Sequence, residues 1–217
     1  WTVVATVTSG GVGSLGSLLA VTDRSTIWAA AQEEAGPVDH PVLAVSRDAG
    51  RTWLDVTLPG MTATEGGTNI VPLAPPTFFD PEHGAFAVTT GDPAITGDPS
   101  GDPRTFIFTT SDGGRSWALR TRLSFDAQTV AFISAMHWVL SVNGLAATIV
   151  VTDDGGGSWS QVATSNLPDG PILQINRIDS VHALGYVLVG GNTGDPGAIV
   201  ISSDGGRTWR EVAPAAP

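Results

Sequence analysis

Cysteine and lysine are both missing from this sequence of 217 residues, and each absence narrows what the protein can be. Without cysteine there is no disulfide framework, thiolate metal site or cysteine nucleophile. The ten basic residues are all arginine and are outnumbered by 21 acidic ones, which gives a net charge of −11. Proteins that bind nucleic acid use a basic surface to neutralise the phosphate backbone, and this excess of acidic residues does not provide one. It therefore argues against nucleic acid and anionic membranes as partners. No apolar run approaches the roughly 18 residues that a membrane-spanning helix needs.

An eight-residue motif occurs four times along the chain. Its pattern is Ser or Thr, any residue, Asp, any residue, Gly, any residue, Ser or Thr, and Trp. The copies are "SRDAGRTW" (46–53), "TSDGGRSW" (110–117), "TDDGGGSW" (152–159) and "SSDGGRTW" (202–209). The four aspartates are 64, 42 and 50 residues apart, which brackets the roughly 40 to 50 residues of a propeller blade.

The segments around each copy predict a blade of four antiparallel strands. An apolar run such as "ATIVV" (147–151) precedes every copy and a short segment begins at its Trp, so the motif is the turn of a hairpin. A strand, a polar turn and a second strand are predicted upstream of each copy. No helical periodicity is present. We therefore predict an all-β fold, a β-propeller whose four blades span approximately residues 17–57, 76–122, 128–163 and 172–213.

Residues 1–7 predict one more strand than four blades need. Their start, "WTVV", matches the segments that follow the later motifs, such as "WSQV" (159–162). We expect this surplus strand to be the outermost strand of a further blade. On this interpretation residues 1–217 form a single propeller domain or a segment of a larger propeller, in which missing blades or self-association would complete the extra sheet.

The repeated motif resembles the Asp-box, or BNR repeat, of the sialidase-like propeller superfamily. The resemblance covers nearly the whole chain and implies that each box turn lies at the blade periphery, between the third and fourth strands. The residue types agree: Asp can accept hydrogen bonds from its own turn, Gly allows a positive φ, and Trp can cover the hairpin. We expect structural roles for Asp48, Gly50, Trp53, Asp112, Gly114, Trp117, Asp154, Gly156, Trp159, Asp204, Gly206 and Trp209.

A second pattern favours one branch of that superfamily. The segment "FFDPEHGAFAV" (78–88) resembles a strand-turn-strand signature of BNR propellers of the photosystem II assembly-factor type, and "RIDSVHALGYVLVG" (177–190) is a looser copy. "FISAMHWVLSV" (132–142) lacks its Asp and Gly. The leading hypothesis is a non-catalytic, exported bacterial propeller, located outside the cell, on its surface or in the periplasm. It would bind a protein or a carbohydrate through its loop face.

The alternative hypothesis is a glycoside hydrolase of the Asp-box superfamily, sialidase-like or xyloglucanase-like. Resemblance to a sialidase implies a Tyr nucleophile beside a Glu, and the one Tyr, Tyr186, lies in an apolar run. A two-carboxylate mechanism needs acids about 5 to 10 Å apart. The weak catalytic candidates are Glu33 and Glu34, in a loop that does not repeat, and Arg177, in a predicted inner strand.

Three other acids, and the histidines, have less distinctive positions. Asp23, Asp80 and Asp179 follow the first strand of three blades, so a repeated role in a turn is the better interpretation. The four histidines are dispersed and do not have the spacing of a zinc motif.

The insertion "GDPAITGDPSGDP" (91–103) carries three clustered acids. Asp92, Asp98 and Asp102 are weak candidates for binding Ca²⁺, although their spacing matches no EF-hand. A flexible acidic loop is the preferred interpretation. We expect no cofactor.

Overall fold

The computed structural model describes residues 18–31, 33–34, 43–59, 69–90, 104–144, 146–188 and 197–212. All regular elements in these ranges are strands, arranged in four antiparallel sheets. The predicted fold class, an all-β propeller fold of antiparallel blades, is therefore confirmed, and three of the four sheets have the predicted four strands. Nowhere in these ranges is there a helix with the length and apolar character needed to cross a membrane. The predicted surplus strand at residues 1–7 lies outside the described residues.

The chain divides into two compact units, and the first comprises Trp1–Ser124. Blade 1 lies in this unit. It contains β1 (Leu18–Val21), β2 (Ile27–Ala30), β4 (Leu43–Ser46) and β5 (Leu54–Asp55), paired in that order. The register places Trp28 opposite Ala20 and Val45, so these three side chains share one face of the sheet.

Blade 2 completes unit 1 and is larger than predicted. Its sheet order is β10 (Ala118–Leu123), β9 (Arg104–Thr110), β8 (Gly84–Thr90), β6 (Asn69–Pro72) and β3 (Glu33–Glu34). The short strand β7 (Thr77–Phe78) also pairs with β8, at Gly84 and Ala85, while β6 pairs with the far end of β8. The sequence predicted a single first strand beside β8. In the structure, the two short strands β6 and β7 pair with opposite ends of β8 instead.

Unit 2 comprises Phe125–Pro217 and contains two four-stranded blades. Blade 3 consists of β11 (Ala127–Phe132), β12 (Trp138–Val142), β13 (Ile149–Thr152) and β14 (Ser160–Val162). Blade 4 consists of β15 (Ile172–Arg177), β16 (Ala183–Leu188), β17 (Gly197–Ser202) and β18 (Arg210–Glu211). Each box motif forms the turn between the third and fourth strands of its blade.

Each unit buries an apolar core between its two blades. In unit 1, Trp28 and Leu43 of blade 1 pack with Phe86, Phe108 and Trp117 of blade 2. In unit 2, side chains of β12 and β13 pack with those of β15, β16 and β17. Burial of this apolar surface is the main favourable contribution to packing one blade on the next.

Candidate functional site

The four box turns repeat one set of hydrogen bonds. In blade 1, Asp48 Oδ1 accepts from the backbone N–H of Thr52 and from the Ser46 hydroxyl, both at 2.8 Å, and Asp48 Oδ2 accepts from Thr52 Oγ1 at 2.7 Å. Ser46 Oγ accepts from the N–H of Gly50 at 2.8 Å. Each box carboxylate is thereby bound by its own turn. The same bonds recur at Asp112, Asp154 and Asp204.

These bonds keep the first two box carboxylates ionised. The backbone N–H of Thr52, followed by its hydroxyl, lowers the pKa of Asp48 to about 2. The hydroxyl of Ser116, followed by its backbone N–H, lowers the pKa of Asp112 to about 2. Because hydrogen bonds to the charged form favour that form, neither group is suited to give a proton at neutral pH.

The other two box carboxylates behave in the same way. The Ser158 hydroxyl, followed by the Ser158 N–H, holds the pKa of Asp154 well below its usual range. At Asp204 burial is the largest single influence and raises the pKa, but the bonds from the Thr208 hydroxyl and N–H contribute to a net lowering. These carboxylates act as acceptors within their turns, and none has the raised pKa of a catalytic acid.

The box glycines adopt the left-handed backbone conformation. The fifth residues of the boxes have φ angles of +85°, +74°, +89° and +89° at Gly50, Gly114, Gly156 and Gly206. Of the box tryptophans, Trp117 and Trp209 are buried, while Trp53 and Trp159 are partly buried.

The turn between the first and second strands has its own acceptor. Asp179 Oδ1 accepts from the N–H groups of Val181 and His182, both at 2.8 Å, and its pKa falls to about 2 chiefly through the Val181 N–H. Ser134 Oγ takes this place in blade 3, where it accepts from the His137 N–H. These side chains stabilise turns, as the repeat suggested. The equivalent carboxylates of blades 1 and 2 are Asp23 and Asp80.

In every blade the box turn is joined to this first turn by one backbone hydrogen bond. The fourth box residue donates its N–H to a carbonyl of the first turn, at 2.6 to 2.9 Å. The two turns of each blade are therefore hydrogen-bonded to one another at the same end of the blade. The pairs are Ala49 with Ser25, Gly113 with Glu82, Gly155 with Met136, and Gly205 with Val181.

The catalytic candidates lie in different units of the chain. Arg177 ends β15 in unit 2, is exposed, and donates from Nε to the Asp179 carbonyl at 3.4 Å. Glu33 and Glu34 form β3 in unit 1, where their backbones pair with Ile70 and Asn69. Their side chains, like that of Tyr186, lie outside what the structure describes.

The metal candidates Asp92, Asp98 and Asp102 also lie outside the described residues. Within the described ranges, no group of three or more His, Asp or Glu side chains could hold a metal ion.

A cleft of about 790 Å³ lies in unit 1 between the first turns of blades 1 and 2. Arg47 stacks over Trp28, with its guanidinium carbon 5.7 Å from the ring centroid, and donates to the Gly113 carbonyl at 3.0 Å. Arg115 is exposed and donates to the Asp112 carbonyl at 3.0 Å. The cleft thus combines two arginines and the two carboxylates of Asp23 and Asp80 with an apolar wall. That wall includes Trp28, Phe78, Phe79, Pro75, Pro76 and Pro81.

Sequence reasoning missed a side-chain cluster in unit 2. His137 Nδ1 lies 2.6 Å from Asp153 Oδ1, and Arg207 from the next box also donates to that carboxylate oxygen. His137 Nε2 donates to the Gly205 carbonyl. The sequence contains one feature that could have pointed to this cluster. His137 stands three residues after Ser134, in the same way that His182 stands three residues after Asp179.

Comparison with protein families gives a match over the second half of the chain. The sequence model described as Photosynthesis system II assembly factor YCF48 matches residues 100–216, which is more than half of the chain. No curated protein matches the chain.

Solved structures of similar fold include two enzymes. The GH74 enzyme of Niastella koreensis is 17% identical with a TM-score of 0.54, over 89% of this chain and 28% of that one. The Trypanosoma rangeli sialidase, in complex with the inhibitor DANA, is 13% identical with a TM-score of 0.51, over 90% and 37%. At these identities the similarity shows the fold alone, and the chain spans less than two fifths of either enzyme.

A structure of YCF48 bound to D1 peptide also matches. It is 16% identical over 90% of this chain and 80% of that one, with a TM-score of 0.48.

Proposed function

Because the chain belongs to the family of the Photosynthesis system II assembly factor YCF48, we propose that it is a non-catalytic protein that binds a polypeptide partner. An assembly factor works by contact with protein subunits, so a protein partner is preferred over a carbohydrate. The cleft of unit 1 is the surface that we assign to this binding, in addition to the loop face expected from the sequence.

The chemistry of the cleft supports a polypeptide ligand. Its volume of about 790 Å³ lies in the range of ligand-binding pockets. Phe78 and the neighbouring prolines offer apolar contacts, and the exposed Arg115 offers guanidinium N–H groups to a carboxylate or a backbone carbonyl. An extended segment with apolar side chains and an acidic group satisfies both.

The observation that carries the non-catalytic part of the proposal is the state of the acids in this cleft. Asp23 accepts from the N–H groups of Ser25 and Thr26, and the Ser25 N–H contributes most to lowering its pKa to about 2. Asp80, in the same cleft, has its pKa lowered first by the N–H of His83. A glycoside hydrolase needs a carboxylic acid that is protonated at working pH, and neither group meets that need.

Titration of tryptophan fluorescence tests the proposal, since Trp28 lines the cleft. The D1 peptide is the first polypeptide probe, and a xyloglucan oligosaccharide and a sialoside are the carbohydrate probes. We expect saturable binding of the peptide and no turnover of either carbohydrate. Turnover of a carbohydrate, or carbohydrate binding without peptide binding, would contradict the proposal.

Two matched arginine variants locate the binding surface. Arg115→Ala should weaken peptide binding by about tenfold, the size expected for loss of one good contact. Arg51→Ala is the control, because Arg51 occupies the same box position and makes the same bond to its own box, from Nη1 to the Asp48 carbonyl. Equal effects of the two variants would place the binding surface elsewhere.

The proposal includes an exported location in a bacterium, outside the cell, on its surface or in the periplasm. Fractionation of cells that express the complete reading frame tests this part. Recovery of the protein in the cytoplasmic fraction alone would contradict the exported location. It would not affect the proposal that the protein binds a polypeptide.

A further inference from the structure

Each unit contains one junction between its two blades, and both junctions carry an arginine of the later box. In unit 1 the box arginine of blade 2, Arg115, donates from Nη1 to the Asp112 carbonyl at 3.0 Å. In unit 2 the box arginine of blade 4, Arg207, donates from Nη1 to the Asp204 carbonyl at 2.9 Å. The two arginines are therefore anchored in the same way on their own boxes. What differs is the side chain that the earlier blade brings to each junction.

In unit 2 the earlier blade brings a carboxylate. Asp153, the second box residue of blade 3, accepts from Arg207 Nη2. The same oxygen, Oδ1, lies 2.6 Å from His137 Nδ1. The Asp153 side chain is 60% exposed, so this carboxylate is held at the surface and not in the core. An arginine that binds a carboxylate is a usual way for a protein to recognise an anionic ligand, and here the chain itself supplies the anion.

In unit 1 the earlier blade brings a cation to the same place. The second box residue of blade 1 is Arg47, which corresponds to Asp153 of blade 3. The last residue of the first turn is Thr26 in blade 1 and His137 in blade 3. Arg47 donates to the Gly113 carbonyl, which corresponds to the acceptor of His137. One arginine side chain therefore takes the place of the histidine and the carboxylate of unit 2.

The two cations of unit 1 favour an anion that the boxes do not supply. Arg47 and Arg115 both line the cleft of unit 1, and their like charges repel one another. The carboxylates of this cleft, Asp23 and Asp80, accept from N–H groups of their own turns. Unit 1 is thus open to the carboxylate of a ligand at the point where unit 2 holds its own.

The space beside the fourth box residue differs in the same way. A Cβ added to Gly205 of unit 2 would lie 2.9 Å from His137 Nε2 and 3.2 Å from Arg207 Nη1. A Cβ added to Gly113 of unit 1 would meet, among the described residues, only the Pro81 carbonyl oxygen within 4 Å, at 3.0 Å. Side chains therefore fill the junction of unit 2 at this point, whereas backbone alone approaches the corresponding point of unit 1.

The surface beside the junction of unit 2 is apolar, as the cleft of unit 1 is. Met136, Ile178 and Val181 lie in the first turns of blades 3 and 4 and are 45% to 58% exposed. Ile178 corresponds to Phe79, which lines the cleft of unit 1. Gly205 donates to the Val181 carbonyl and accepts from the residue that follows Met136, so the two turns are held close together. Unit 2 therefore has the apolar surface and the arginine of a polypeptide site, with the arginine already neutralised.

We propose that Asp153 acts as an intramolecular ligand of a carboxylate site formed by Arg207 and His137, and that it thereby excludes the acidic group of a polypeptide from unit 2. The inference rests on the proposed function, because it assumes a polypeptide partner with an acidic group. A carboxylate on the same chain competes at a high effective concentration, so a free ligand does not displace it. Asp153 is then the residue that confines binding of the partner to unit 1.

Rescue by a small carboxylate tests the site without any peptide. Asp153→Ala deletes a carboxylate, and formate has the size of the deleted group. The variant should melt about 2 °C below the wild type, the effect expected for loss of an exposed ion pair. Sodium formate should restore the melting temperature, and sodium chloride at equal ionic strength should not. The double variant Asp153→Ala, Arg207→Ala should show no rescue, because the site has lost its arginine.

Asp55→Ala is the control for the formate measurement, because it removes an exposed carboxylate of β5, in unit 1. Its melting temperature should respond in the same way to formate and to chloride. Equal responses of Asp153→Ala to the two salts, or rescue that persists in the double variant, would overturn the proposed site.

Calorimetric titration with the D1 peptide tests the effect of Asp153 on specificity. The wild type should bind one peptide per chain and Asp153→Ala should bind two, and the double variant with Arg207→Ala should again bind one. A single peptide per chain in Asp153→Ala would overturn the role of Asp153 in confining the partner to unit 1. A wild type that binds no peptide would contradict the proposed function instead, and formate rescue would still decide whether Arg207 and His137 form a carboxylate site.

Discussion

His137 of blade 3 donates from Nε2 to the carbonyl of Gly205, in the box of blade 4, over 2.5 Å. His137 is 8% exposed, and its other ring nitrogen lies 2.6 Å from Asp153 Oδ1. In unit 1 the corresponding carbonyl, Gly113, accepts instead from Arg47. Two different side chains thus make the same connection between consecutive blades, which identifies the carbonyl, rather than its donor, as the fixed feature of the repeat.

Replacing His137 with alanine should lower the free energy of unfolding by about 1–3 kcal/mol, because the Gly205 carbonyl would lose its donor in a buried position. Urea denaturation measures the change. His182→Ala is the matched control, since His182 occupies the same position in blade 4 but, among the described residues, its half-exposed ring bonds only its own Asp179. Equal losses in the two variants would show that the bond between blades contributes nothing of its own.

Gly114→Ala should destabilise the protein more than Gly50→Ala. Both positions have a positive φ, which costs an alanine roughly 1–2 kcal/mol. Only at Gly114 would the new Cβ also meet another blade, 2.2 Å from Trp28, and such overpacking adds about 1–3 kcal/mol. Because both variants carry the cost of the positive φ, the difference between their melting temperatures measures the cost of overpacking against Trp28. A similar melting temperature for both would mean that blade 1 can move away from the box without cost.

Ala49→Gly should stabilise the protein. Ala49 has a φ of 61°, the one positive φ among the described residues other than glycine, and the other three boxes have glycine at this position. Relief of the left-handed conformation contributes roughly 1–2 kcal/mol, and the greater freedom of glycine in the unfolded chain offsets about half of it. We expect a small rise in melting temperature. A fall would indicate that the Ala49 methyl group makes a favourable contact.

The box turns could be predicted from sequence because every bond that defines them is local. The acceptor Asp48 and its donors Ser46 and Thr52 lie within seven residues, and fourfold repetition separates them from chance. The first strand of blade 2 could not be predicted in the same way. Asn69–Pro72 lies outside the repeated segment, and it joins the sheet by pairing with the far end of β8 and with β3.

The contacts between blades were equally out of reach of the sequence. The bonds of His137 to Asp153 and Gly205 span 16 and 68 residues, and no repeat of the sequence predicts which donor will meet a given carbonyl. The glycines of the box illustrate the same limit. Their need for a positive φ could be predicted, whereas the contact of Gly114 with Trp28 depends on how the blades pack.

Asp204→Ala should lower stability by about 1–2 kcal/mol and leave peptide binding unchanged. The carboxylate accepts from the N–H and the hydroxyl of Thr208, and the figure allows for its partial exposure to solvent. Ser203→Ala, at an exposed variable position of the same box, is the control. Unfolding by urea and the fluorescence titration measure the two properties. Normal stability with lost binding would assign this box to the binding surface.

The turn carboxylates should make the protein lose stability in acid. The pKa of Asp48 is about 2 in the folded chain, where the Thr52 N–H is the strongest donor, against 3.8 for the free group. Since the folded pKa is the lower one, the stabilisation is complete above pH 3.8 and is lost as the pH falls towards 2. Asp112, Asp23 and Asp179 titrate in the same window. Urea unfolding at a series of pH values should show the decline.

Asn variants identify the groups responsible for this decline. Asp48→Asn keeps one acceptor oxygen but cannot ionise, so it should be less stable than the wild type at neutral pH, and the difference should shrink as the pH falls through 2. The double variant Asp48→Asn, Asp112→Asn should lose about twice as much of the pH dependence, since the two boxes are separate turns. Parallel pH profiles for the wild type and both variants would show that the carboxylates elsewhere in the chain control acid unfolding.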